Sequence, residues 1–127
     1  MAPFNKILVP VDFSKHSERA TALALELARK FESSLTLLHT SVAIKTVRAR
    51  VLAQGIAKVD ALLVEGNPFA EIVRTAREKH FDLIVMGTHG RTGLEHALMG
   101  SVAEKVVRKA PCPVLSVRDP EHEFELP

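Results

Sequence analysis

Three glycines and a serine stand at a spacing that suits an anion: Gly87, Gly90 and Gly100, with Ser101 directly after the last. Glycine tolerates positive φ and carries no Cβ, so neighbouring main-chain N–H groups can close on phosphate oxygens. Ser101 opens a stretch of helical period, and the unpaired N–H groups and positive dipole end of a helix favour negative charge. Together they read as a phosphate cradle. It is not a P-loop, because no Gly-Lys-Ser/Thr occurs, and not the dinucleotide fingerprint, because Gly87, Gly90 and Gly93 stand three apart. Plainer readings compete at each position. Ser101 with Glu104 forms a capping box open to any helix, Gly87 could simply end a strand, and Asp12 could be a solvated acid ahead of the first helix. What favours chemistry is that Asp12 and the glycine segment fall at one edge of the sheet predicted next.

Lys6 to Val11 is a short apolar run, after which the apolar period lengthens to 3.6 at Ala20, Leu23, Ala24, Leu27, Ala28 and Phe31. This predicts a buried strand and then an amphipathic helix. Leu35 to His39, apolar save Thr36, predicts a strand covered on both faces. Ile44, Val47, Val51 and Leu52 mark a short helix closed by Gly55; Ile56 to Val64 is a third strand and Glu65 to Pro68 a turn. Phe69, Ile72, Val73 and Ala76 line a third helix, and Leu83 to Met86 is a fourth strand. Val102, Ala103, Val106, Val107 and Ala110 line a fourth helix that Pro111 ends, before a last strand at Val114 to Val117. Five strands alternating with four helices predict an α/β single domain: an open parallel five-stranded sheet with helices on both faces, over residues 1–118. Ligands of such sheets bind outside the carboxyl ends of the strands, where the strand order reverses. Pro10 to Ser14 and Gly87 to Ser101 both lie at carboxyl ends.

Composition narrows the function classes. At 127 residues, with 46% apolar and 25% charged, the chain suits one domain with its own core and no disulfide scaffold. Its apolar runs are only a few residues long, against about 18 for a bilayer span, so no membrane insertion is expected. Met1 to Lys6 shows no secretory leader and Cys112 is the lone cysteine, which together predict a cytoplasmic protein. The net charge of +2 is uneven: Asp119 to Pro127 holds four acids and no base, leaving residues 1–118 with 17 bases against 11 acids, or +6. Such a body steers phosphates towards itself. With no Trp or Tyr to stack bases, nucleic acid is not the expected partner. Residues 119–127 read as an acidic, mobile tail. The six histidines lack metal-ligand spacing, so no metal centre is expected, and His89 and Arg91 read equally as phosphate contacts or as solvated loop groups.

Three stretches carry a likeness: Ile7-Leu-Val-Pro-Val-Asp-Phe-Ser14; Leu83-Ile-Val-Met-Gly-Thr-His-Gly90 running on to Gly100-Ser101-Val102-Ala-Glu104; and Ala110-Pro-Cys-Pro-Val-Leu115. With these the sequence resembles the universal stress protein family, in its ATP-binding branch, over residues 4–118. The resemblance implies that Asp12 and the backbone of Val11 meet adenosine, that Gly87, Gly90, Gly100, Ser101 and the Val102 amide hold ribose and phosphates, and that Met86 lines the pocket. Thr40 stands where family members usually place a valine whose main chain faces adenine. The family also forms homodimers by pairing final strands, here Val114, Leu115, Ser116 and Val117; an apolar edge strand needs cover on physical grounds as well. The implied function is a cytosolic stress-response regulator that binds ATP, with or without Mg2+, and turns over little or none. Two alternatives stand beside it: a dimerisation module that binds no nucleotide, and a slow ATPase or autophosphorylating enzyme, for which no general base is evident. One departure is the short Ser41 to Gly55 segment. It suffices for a crossover but curtails the flap that would shield adenine and ribose.

Overall fold

The computed structural model of the chain describes residues 4–11, 15–39, 59–64, 66–88 and 101–118. In chain order these form β1 (Lys6–Pro10), α1 (Lys15–Phe31), β2 (Ser34–His39), β3 (Val59–Leu63), α2 (Pro68–Glu78), β4 (Leu83–Gly87), α3 (Ser101–Lys109) and β5 (Val114–Val117). All five strands are parallel and lie in the order β3-β2-β1-β4-β5, the α/β architecture that the alternation predicts. The helix expected around Ile44 to Leu52, its Gly55 cap, and the first residues of the predicted third strand lie outside the described residues. Val64, its predicted last residue, falls just beyond β3 and donates its N–H to the His39 carbonyl at 3.1 Å.

Side chains alternate across a strand, so each strand serves two cores. Ile7, Val9, Leu35, Leu37, Leu83 and Val85 pack with Ala20, Ala24, Leu25 and Ala28 of α1. Leu8, Leu38, Ile84 and Met86 pack on the other face with Ile72, Val73 and Ala76 of α2 and Ala103 and Val106 of α3. Burial on both faces explains why these strands read as continuous apolar runs.

The chain path folds through local chemistry at helix ends. Asn67 caps α2, its side chain accepting the Ala70 N–H at 3.3 Å, and Pro68 occupies the first turn, where its missing N–H costs nothing. The preceding turn uses Gly66 at φ 129, a conformation open to few other residues. Two helices end in the Schellman manner without glycine. Glu32 and His80 both sit at φ 56; Ser33 N–H reaches the Ala28 carbonyl at 2.9 Å, and Phe81 N–H reaches that of Ala76 at 3.0 Å. Left-handed backbone is strained for a residue with a Cβ. His80→Gly is therefore expected to stabilise the fold by ~0.5 kcal/mol, the relief of strain exceeding the added chain entropy; a urea midpoint unchanged or lowered would contradict this.

Candidate functional site

β1 lies at the centre of the sheet. From it the chain moves outward to β2 and β3, and then returns to the other side for β4 and β5. The strand order thus reverses between β1 and β4, and the crevice at a reversal point opens at the carboxyl ends, after Pro10 and Gly87. The ladders flanking this point run the length of their strands, as far as Pro10↔Leu38 and Gly87↔Val117. The β1–β4 ladder stops after two pairs, Ile7↔Leu83 and Leu8↔Ile84. Val11 donates its N–H to the Leu38 carbonyl on β2 at 2.9 Å. Successive N–H groups alternate in direction, so that of residue 10 would face β4, and residue 10 is proline. The next rung has no donor. A proline within a central strand is otherwise unfavourable; here it ends the pairing at the switch point.

Val11 follows β1 directly. Its side chain is buried in the α1-side core, and its N–H is bonded to the Leu38 carbonyl. The Met86 side chain is buried on the opposite side of the sheet, among the α2 and α3 contacts. Gly87 ends β4, half-buried, in register with Val117. Its φ is not positive, so the backbone freedom expected there is not used, and what Gly87 contributes is the absence of a side chain. Ser101 is the exposed first residue of α3, and Val102 packs against the core cluster that contains Met86, which holds the start of this helix against the carboxyl edge of β4. Glu104, the acid of the expected capping box, accepts from the Arg108 guanidinium one turn on at 2.9 Å. Asp12, Thr40, Gly90 and Gly100, together with His89 and Arg91, lie outside the described residues.

Thr88 is a residue that the sequence reading passed over. It is buried, it follows Gly87, and its N–H donates to the Val117 carbonyl at 3.1 Å. The available signal was a polar side chain directly continuing an apolar strand.

The opposite edge of the sheet has another character. Asp82 accepts the N–H groups of Asn5 and Lys6, at 2.8 and 3.1 Å, while the Lys6 ammonium donates to the Lys79 carbonyl and lies over the Phe81 ring. Cys112, just before β5, packs against the α2–α3 core; burial, and then the Asp82 carboxylate, push its thiol above the ordinary value. This edge closes the fold and keeps the thiol in its unreactive protonated form. Strand β5 is the outer strand next to β4, with Val114 and Val117 turned into the two cores and Leu115 38% exposed. Among the described residues no helix is long and apolar enough to cross a membrane, and no group of three or more His, Cys, Asp or Glu is placed to hold a metal ion.

Residues 3–50 and 41–118 match the universal stress protein family. The chain is 34% identical to universal stress protein MJ0531 of Methanocaldococcus jannaschii over 146 aligned positions, which take in 94% of this chain and 85% of that one. Universal stress protein UspA from Lactobacillus plantarum superposes with a TM-score of 0.83 at 25% identity, over 91% of this chain and 98% of that one. The universal stress protein from Archaeoglobus fulgidus in complex with dAMP superposes with a TM-score of 0.68 at 26% identity, over 92% and 99%. The 146 aligned positions exceed the 127 residues present here, so the first relative carries residues with no counterpart in this chain. The two family matches overlap at residues 41–50, which places a break in the β2–β3 connection, the segment read as short.

Proposed function

The chain belongs to the universal stress protein family, and from that premise we propose that it is an ATP-binding regulator. The observation that carries the reading is the β1–β4 ladder, which stops at Leu8↔Ile84 at the point where strand order reverses, beside the start of α3. On this reading Asp12, the Val11 backbone and the Thr40 main chain meet adenosine, and Met86 backs the pocket. Gly87 and Gly90 leave room for the phosphate chain, and the Gly100, Ser101 and Val102 amides hold it at the positive end of the α3 dipole. The deoxyadenosine monophosphate complex of the Archaeoglobus relative supports an adenine nucleotide as the class of ligand. Mg2+ would accompany ATP and offset part of its phosphate charge.

The protein acts by binding, with little or no turnover, as a cytoplasmic homodimer in a stress response. Hydrolysis requires a group that orients water, and Glu104, in the first turn of α3, is engaged by Arg108. The dimer forms along β5, Val114 to Val117, which covers the exposed Leu115 and the outer edge of the sheet. Residues 1–118 form the domain and 119–127 an appended tail.

Mass spectrometry of small molecules released on denaturing freshly purified protein, followed by calorimetric titration with MgATP, tests this. An adenine nucleotide in the first and saturable heat in the second are expected. No nucleotide released and no thermal shift with ATP, AMP or cyclic AMP would leave a dimerisation module in its place.

A further inference from the structure

We infer that Pro10 is a positioning residue for this same site: lacking an N–H, it keeps β1 and β4 apart at the switch point, so that the crevice stands open before any nucleotide arrives. The inference rests on the nucleotide reading above.

The hydrogen-bond pattern fixes which way residue 10 faces. Val11 donates to Leu38 on β2, so alternation turns the main chain of residue 10 towards β4. Counting on from Leu8↔Ile84 puts Pro10 level with Met86, and its missing N–H opposite the Val85 carbonyl. An amide at this place would bring nitrogen and oxygen to about 2.9 Å. The ring carbon that replaces the hydrogen must itself keep about 3.3 Å from that oxygen, which widens the gap by on the order of 1 Å. The interruption is not a frayed strand end. Val9 and Val85 are both fully buried between the helical layers, so a donor at residue 10 would find its acceptor already in place. Beyond this level each strand is tied outward, Val11 N–H to the Leu38 carbonyl at 2.9 Å and Thr88 N–H to the Val117 carbonyl at 3.1 Å. Val11 and Gly87, level by the same count, are thus held from their outer sides, with no β1–β4 pair past Leu8↔Ile84 to draw them together.

Pro10→Val and Pro10→Ala both restore the N–H while differing in side-chain volume. In the ligand-free protein the new amide at position 10 is expected to exchange with solvent about a hundredfold more slowly than an unstructured one, the mark of an added β1–β4 rung. Freeing the unfolded chain from proline and gaining a rung act on stability in opposite directions, so the melting temperature should stay within about 5 °C of the wild type. MgATP binding, read by calorimetric titration, is expected to weaken about fivefold in both variants, because the nucleotide must break the added rung to enter. A protected amide with wild-type MgATP affinity, an unprotected amide, or a loss confined to one variant overturns the inference and leaves the nucleotide site standing. A larger fall in melting temperature makes Pro10 a folding residue and overturns it as well. Should the wild-type chain itself take up no nucleotide, the reading beneath the inference fails, and the inference with it.

Discussion

Gly87→Val is expected to leave the sheet folded and to weaken MgATP binding by at least tenfold, equivalent to about 1.4 kcal/mol. Gly87 is the last residue of β4, in register with Val117 on one side. Counting on from Ile7↔Leu83 and Leu8↔Ile84 places it level with Val11 on the other, across the point where the β1–β4 rungs have ceased. Alternation puts its vacant side-chain position on the same side of the sheet as Val85, the side on which Val11 is packed. A branched side chain there would stand at the carboxyl edge beside Val11, where the proposed site opens. Because the Gly87 φ is not positive and valine is at home in a strand, the substitution asks nothing unusual of the backbone. Calorimetric titration reads the loss, and a melting temperature close to that of the wild type separates it from unfolding. Undiminished MgATP binding by the variant would place the nucleotide somewhere other than this edge.

Leu37→Ala should cost about 3 kcal/mol of stability, within the usual range of 2–5 for a buried leucine, and lower the melting temperature by roughly 10 °C. Leu37 is fully buried on β2, level with Val9 on one side and Ala61 on the other, beneath α1. Strands on both flanks and a helix above leave little freedom for the site to collapse, so the lost methyl groups leave a cavity. Val107→Ala, at a position 47% exposed on α3, serves as the comparison and should change stability by no more than about 0.5 kcal/mol. Urea denaturation followed by circular dichroism distinguishes the two. Similar midpoints for both variants would mean that the α1-side core is looser than its packing implies.

Much of this was legible before any coordinates. The apolar stripe through Ala20, Ala24 and Ala28 and the run from Leu83 to Met86 announce a helix and a strand because side-chain periodicity depends only on local backbone geometry. The glycine segment announces itself because the absence of a Cβ belongs to the residue type. Helix ends were less legible. Glu32 and His80 occupy left-handed positions that glycine usually marks, and nothing in their side chains signals that tertiary packing at Ser33 and Phe81 would hold them there. The β5 edge was expected from the apolar run at Val114 to Val117, yet which of those residues would face solvent was not. Leu115 is 38% exposed although alternation puts it on the same face as Val117, which packs against the α1-side core.

From the sequence by itself follow the order of strands and helices, burial on both faces of the sheet, and the residue types able to cradle a phosphate, since each depends on neighbours a few positions away. Only the tertiary structure decides that β1 lies against β4, that Pro10 withholds its rung at that boundary, and that Val11 and Met86 bury their side chains on opposite faces of the sheet. Strand order is a long-range choice among pairings with similar local energies, settled by how two helical layers can cover both faces at once. A missing N–H gains its meaning only from the strand it would have faced.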